Sequence, residues 1–136
     1  MKQAYVDANV ILRLVTGDPP DMAEKAASVF RQAEDGRLQL VIDAIVLAEC
    51  VWVLSSFYGF VPADIAPILR MLLISEGIVG KDTTELLQAL TLYEEKNIDF
   101  ADALLAVRML AYGVREVYSF DEHFDRIESL TRTSPE

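Results

Sequence analysis

Short apolar stretches alternate with longer amphipathic stretches along this chain, and the alternation predicts β-strands separated by α-helices. The predicted strands cover residues 3–6, 38–42, 77–80, 116–120 and 130–132. The predicted helices cover residues 9–14, as a turn or two, and 20–33, 44–58, 64–75, 83–96 and 100–112. Strands connected by helices favour a three-layer α/β/α sandwich with a mainly parallel central sheet of about four to five strands.

Proline, aspartate and glycine mark the predicted helix boundaries. Pro20 suits the first turn of its helix, where the missing N–H group costs no hydrogen bond. Asp43 and Asp99 each precede a helix and are predicted N-caps, because a carboxylate there can accept a hydrogen bond from an unpaired backbone N–H of the first turn. Gly59 and Gly113 are predicted to end the helices that they follow, since glycine readily adopts the left-handed conformation found there.

Length and composition favour a single globular domain. The chain has 136 residues, of which 52% are apolar. We therefore expect one domain over residues 1–136, with a frayed tail from about residue 133.

Cys50 is the only cysteine and lies in an apolar stretch, which predicts a buried, inert thiol. No apolar signal segment precedes Asp7 and charged residues interrupt the longest apolar stretch, so we expect a cytoplasmic protein.

The net charge of −10 is the opposite of the basic footprint expected of a protein that grips nucleic acid by its phosphates. The charge argues against a simple nucleic-acid-binding module. It argues less against a nuclease, because carboxylates that hold divalent metal ions contribute to the acidic total and the ions reverse the local charge.

Several acidic residues are predicted to converge. Asp7 and Asp121 each follow an apolar strand, so in a parallel sheet they would share the edge where ligands bind. Glu49 lies within an apolar helix, where an uncompensated carboxylate would be costly to bury. Asp99 and Asp102 are one turn apart at a helix N-terminus. Carboxylates held this close repel one another, which predicts a site for Mg²⁺ or Mn²⁺.

Other kinds of active site are disfavoured by what the sequence lacks. His123 is the only histidine, and no Gly-x-Ser-x-Gly motif is present, so acyl transfer through a serine or cysteine nucleophile is not expected. The six glycines stand apart and form no phosphate-binding loop, which argues against hydrolysis of nucleoside triphosphates.

Four segments, in matching order and spacing, resemble the PIN domain, and in particular the VapC-like toxins. They are residues 5–12, 46–54, 99–106 and 119–124, and the resemblance extends from residue 3 to about residue 132. It implies a metal-dependent endoribonuclease that hydrolyses RNA phosphodiester bonds by metal-activated water, leaving 5′-phosphate and 3′-hydroxyl ends. It also implies a homodimer and a cognate VapB-like antitoxin.

The resemblance assigns roles to individual residues. Three aspartates would be metal ligands, directly or through water: Asp7, Asp102 and Asp121. Glu49 would complete the acidic pocket from its helix, and Asn9 and Ser119 would support it. Asp99 would either contribute to this site or only cap its helix.

Each of the four principal acids also has an ordinary structural interpretation. Asp7 would cap the following helix, and Asp121 would be a turn acid. Asp102 would interact with the helix dipole or form a capping box with Asp99. Glu49 would extend from a partly exposed helix face.

The remaining candidates have two interpretations each. Arg13 and Arg108 would contact RNA phosphates or pair with acidic side chains. His123 is expected to be structural or exposed rather than a general base, because metal-activated water needs no histidine. Four aromatic residues are predicted to lie in the core or a dimer interface: Trp52, Phe57, Tyr58 and Phe60.

Our leading prediction is the metal-dependent ribonuclease, as the toxin of a type II toxin–antitoxin pair. A phosphohydrolase of the haloacid-dehalogenase type would require a second aspartate where this chain has Asn9. The non-enzymatic alternative is a catalytically weak PIN-like scaffold or binding module, for which the strong negative charge is the main argument.

Overall fold

The computed structural model describes residues 2–136, which form five β-strands, six α-helices and one 3₁₀ helix. The chain packs as two compact units that divide between Thr83 and Thr84. We call them the N-terminal unit and the C-terminal unit. In the described residues, no helix is long and apolar enough to cross a membrane.

The N-terminal unit contains a three-stranded parallel sheet. Its strands are β1 (Gln3–Tyr5), β2 (Gln39–Val41) and β3 (Ile78–Val79), in the order β1-β2-β3. Leu40 lies opposite both Ala4 and Ile78. The central strand β2 thereby places its middle residue in the core, with 1% of Leu40 exposed.

Four helices belong to the N-terminal unit: α1 (Ala8–Thr16), α2 (Pro20–Glu34), α3 (Ala44–Ser56) and α4 (Pro62–Leu73). Asp43 caps α3 as predicted, because its Oδ1 accepts the Ile45 N–H at 3.0 Å. The fully buried side chains Ile11, Leu54 and Leu69 come from three different helices, so the core depends on packing between them.

The C-terminal unit consists of α5 (Thr83–Lys96), which begins at the boundary, then α6 (Phe100–Ala111), β4 (Glu116–Tyr118), a 3₁₀ helix (Glu122–Arg126) and β5 (Thr131–Thr133). Strands β4 and β5 are parallel, with Val117 opposite Arg132. The rings of Tyr93 and Phe100 pack edge to face with centroids 6.2 Å apart.

The predicted elements are all present, and all three strand pairs are parallel. The strands pair as one group of three and one group of two, however, so a single sheet of about four to five strands is not confirmed. Strand β4 ends at Tyr118, two residues earlier than predicted, because the Ser119 hydroxyl accepts the Asp121 N–H and turns the chain. Strand β5 includes Thr133, which was expected in the tail.

Candidate functional site

Asp7 caps the N-terminus of α1. Its Oδ1 accepts the Val10 backbone N–H at 3.1 Å, and its side chain is exposed. The bond satisfies one of the N–H groups that a helix leaves unpaired at its start, which explains why α1 begins at Ala8. The capping interpretation is therefore confirmed. It is compatible with metal binding, because the carboxylate has a second oxygen that can coordinate a cation.

Glu49 lies on the solvent side of α3. The buried face of this helix includes Leu47, Cys50 and Leu54, whereas Glu49 is exposed. The interpretation in which Glu49 extends from a partly exposed helix face is therefore confirmed, and no cost of burying its carboxylate arises. Neighbours in sequence point to different sides of a helix, so an apolar stretch does not by itself bury every residue within it.

The buried thiol of Cys50 lies close to both of these acidic residues. Its Sγ is 3.8 Å from the Ala8 carbonyl oxygen, which joins α3 to the start of α1. Burial, with smaller contributions from the negative charges of Glu49 and then Asp7, raises the pKa of Cys50 to about 12. The negative charges of both carboxylates raise the pKa of the same thiol, so Asp7 and Glu49 lie in the same region of the N-terminal unit. We call them the Asp7–Glu49 pair.

We expect Cys50 to resist thiol reagents in the folded protein. With a pKa of about 12, roughly one thiol in ten thousand is ionised at pH 8, and the sulfur is also closed to solvent. Ellman's reagent should label the native protein slowly and the guanidinium-unfolded protein at once. Rapid stoichiometric labelling of the native protein would contradict the buried placement.

Asp102 and Asp121 come together in the C-terminal unit. Asp102 is in the first turn of α6, and Asp121 is the N-cap of the 3₁₀ helix, where its Oδ1 accepts the His123 N–H at 2.9 Å. The Asp121 N–H donates to the Ser119 hydroxyl, also at 2.9 Å. These two bonds fix the turn and the direction of the Asp121 carboxylate.

His123 completes this group. One potential ligand atom from each of Asp102, Asp121 and His123 lies within 4.8 Å of the others. The His123 Nδ1 is buried, is 3.3 Å from the Asp121 Oδ1 and has no hydrogen bond within the described residues. We call Asp102, Asp121 and His123 the Asp102 cluster.

Electrostatic repulsion is built into the Asp102 cluster. Burial raises the pKa of Asp102, the negative charges of Asp121 and Asp99 raise it further, and His123 opposes the shift. A divalent cation would relieve the repulsion, and two carboxylates with an imidazole are suitable ligands for Mn²⁺ or Mg²⁺. The residues present therefore fit a metal ion.

The sequence did not predict the position of His123, which was expected to be structural or exposed. The available signal was its spacing: two residues after Asp121, within one tight helical turn. Asp99 occupies the N-cap position of α6, but its side chain makes no capping hydrogen bond, so that predicted bond is wrong.

The other candidates separate into paired and exposed residues. The Arg108 Nε is 3.2 Å from the Glu85 Oε1, as the ion-pair interpretation predicted. Trp52 and Phe57 are 67% and 78% exposed, so neither belongs to the core. Asn9 is also exposed, on the first turn of α1.

Comparisons with known proteins support the predicted resemblance. The sequence model of the PIN domain matches residues 4–130, a segment that contains every acidic residue discussed above. A VapC ribonuclease from Aquifex aeolicus (strain VF5) is 24% identical over 122 residues, which represent 90% of this chain and 90% of that protein. The resemblance predicted from the four sequence segments is therefore confirmed.

Proposed function

We propose, because this chain belongs to the PIN-domain family, that it is a metal-dependent endoribonuclease that hydrolyses RNA phosphodiester bonds. The observation that carries the proposal is the Asp102 cluster, in which two carboxylates and an imidazole lie within ligand distance of one another. The similarity to a protein named VapC ribonuclease supports RNA as the substrate.

Asp102, Asp121 and His123 would hold Mg²⁺ or Mn²⁺. The chemistry that such an ion would supply is activation of a water molecule for attack on phosphorus and stabilisation of the departing 3′ oxygen. The protein's part is to keep the ligands in place. The hydrogen bond that the Asp121 N–H donates to the Ser119 hydroxyl and the one that the His123 N–H donates to the Asp121 carboxylate orient Asp121. The first turn of α6 positions Asp102.

We further propose that the Asp7–Glu49 pair serves the same active site, within one PIN-like domain spanning residues 1–136. Membership of the family supports this, since the matched segment includes both groups of acids. Asp7, held by its capping bond, would contribute as a metal ligand, and Glu49 would complete the acidic pocket. Asn9 and Ser119 would be supporting residues.

We also propose that the protein is the toxin of a type II toxin–antitoxin pair in the cytoplasm, with a VapB-like antitoxin and a homodimeric state. The named relative supports the toxin assignment. The exposure of Trp52 and Phe57 supports a protein interface, because large apolar side chains at the surface are often covered by a partner. Sedimentation equilibrium measures the dimer, and co-purification with a small partner tests for the antitoxin.

The alternative function is a catalytically weak PIN-like scaffold or binding module. The net charge of −10 favours it, because RNA phosphates are repelled by an acidic surface at low salt. A ribonuclease should show metal-dependent turnover that is lost when the acidic residues are replaced. A scaffold or binding module should show little turnover with or without metal.

The decisive experiment is cleavage of a mixed-sequence single-stranded RNA by the purified protein with Mn²⁺ and with EDTA. Asp7→Asn and Asp102→Asn are tested in parallel. The matched control is Asp64→Asn, which removes the same charge from the first turn of α4, where Asp64 is exposed. We expect cleavage by the wild type and the control only when Mn²⁺ is present. Each active-site variant should lose at least about 100-fold in rate, equivalent to about 3 kcal/mol of transition-state stabilisation.

Absence of cleavage by the wild type in Mn²⁺ would favour the scaffold. Cleavage that survives in both active-site variants would indicate a contaminating nuclease, and EDTA-resistant cleavage would contradict the requirement for metal.

A further inference from the structure

A cleft next to Asp7 lies between α1 and α2. Its volume is about 290 Å³, close to the lower end of the roughly 300–1,000 Å³ typical of ligand pockets. Asp7 lies at one end of α1, and the cations Arg13 and Lys25 come from the two helices. Apolar side chains on the cleft surface include Val10, Met22 and Val29.

Arg13 is half-buried but incompletely hydrogen-bonded. Its Nη1 donates to the Asp18 carbonyl oxygen at 3.1 Å, while its buried Nε has no hydrogen-bond partner among residues 2–136. A buried donor left without a partner is costly, which favours the binding of an acceptor there.

The two cations of the cleft differ from others on α2 and in the loop after it. Arg31 is paired with Glu24 at 2.8 Å, and Arg37 with Asp35 at 3.1 Å. Arg13 and Lys25 have no such carboxylate partner in the part of the chain that the structure describes. In a protein with a net charge of −10, two unpaired cations beside an apolar surface form a local site for an anion.

We propose that this cleft is a subsite for one nucleotide of the RNA strand, beside the scissile position. The phosphate would be bound by the Arg13 guanidinium and the Lys25 ammonium, and the base or ribose would pack on Met22 and Val29. Arginine and lysine are the usual hydrogen-bond donors to phosphate, and an apolar surface accommodates the face of a base without reading its sequence. This subsite rests on the proposed ribonuclease function, and it would position the strand at Asp7.

The test measures binding and cleavage separately. Binding of a fluorescein-labelled eight-nucleotide RNA of mixed sequence is followed by anisotropy in EDTA over a range of salt concentrations. Cleavage of the same RNA in Mn²⁺ gives KM and kcat. The variants are Lys25→Gln, Arg13→Gln and Arg13→Lys, with Lys2→Gln and Arg37→Gln as controls that remove the same charges elsewhere on the N-terminal unit.

We expect Lys25→Gln and Arg13→Gln each to raise the Kd and KM about three- to tenfold while retaining kcat. Each should also reduce the slope of log K against log salt by about 0.7, the value for one phosphate contact with a single strand. Arg13→Lys should recover part of the lost affinity, and the controls should leave the salt slope unchanged. Lys25 is exposed, so its variant tests the subsite even if Arg13→Gln impairs folding.

The outcomes separate the subsite from the proposed function. Metal-dependent cleavage with the same KM and salt slope in all variants would overturn the subsite and leave the ribonuclease intact. RNA binding that depends on Arg13 and Lys25 without cleavage would keep the subsite and overturn the ribonuclease. Failure of the wild type to bind RNA, or preferential binding of an octaglutamate peptide through these cations, would overturn the subsite.

Discussion

The double variant Asp7→Asn/Asp102→Asn should cleave RNA at about the same rate as the slower of its two single variants. Each single substitution is expected to lower the rate at least about 100-fold, so independent effects would multiply to about 10,000-fold. Residues that act together in one step are strongly non-additive, because removing either one already abolishes the shared contribution. The measurement is single-turnover cleavage in saturating Mn²⁺.

This result matters because Asp7 and Asp102 belong to different compact units. Non-additivity would support the proposal that both residues serve one active site. A fully multiplicative loss would contradict it, and would mean that each group of acids affects the reaction independently.

Thermal unfolding in EDTA is the control for folding of the Asp102→Asn variant. The pKa of Asp102 is raised by burial and by the charges of Asp121 and Asp99, so its ionisation destabilises the fold as the pH rises through that pKa. Asparagine cannot ionise. The Tm of Asp102→Asn at pH 7 should therefore be equal to or above that of the wild type, and the gain should disappear below about pH 4, the ordinary range of an aspartate.

Gly77→Ala should be the most destabilising of the glycine substitutions. Gly77 has a φ of +82°, and a Cβ atom there would overlap the backbone carbonyl of Ala33 in α2. The Gly77 carbonyl accepts the Leu40 N–H at 2.8 Å, so the segment cannot move away without disturbing the sheet. A left-handed alanine costs about 1 kcal/mol and overpacking adds about 1–3 kcal/mol. The free energy of unfolding should therefore fall by about 2–4 kcal/mol.

Gly59→Ala is the matched control. Gly59 has a φ of +73°, but no atom lies within 4 Å of the position of an added Cβ. The free energy of unfolding of Gly59→Ala should fall by only about 1 kcal/mol, the cost of an alanine in the left-handed conformation. Urea unfolding at constant m-value measures both variants. Equal losses would contradict the close approach of Gly77 to α2.

The sequence was sufficient to predict the order and approximate bounds of the helices and strands. It also predicted the family and the cap of α3 by Asp43, and it offered capping as one interpretation of Asp7. These features depend on local chemistry: a capping carboxylate and the N–H that it accepts are separated by only two or three residues. Turn residues and apolar periodicity act over similarly short distances.

The tertiary structure decided which faces are buried and which charges are paired. Helix α3 is apolar on most sides, so its sequence could not show that Ile45, Glu49 and Trp52 face solvent. The pairing of Arg108 with Glu85 joins residues 23 positions apart, and the contact of Cys50 with Ala8 joins residues 42 apart. Such contacts depend on how helices pack, and identical side chains such as Arg13 and Arg108 differ only in what packing places beside them.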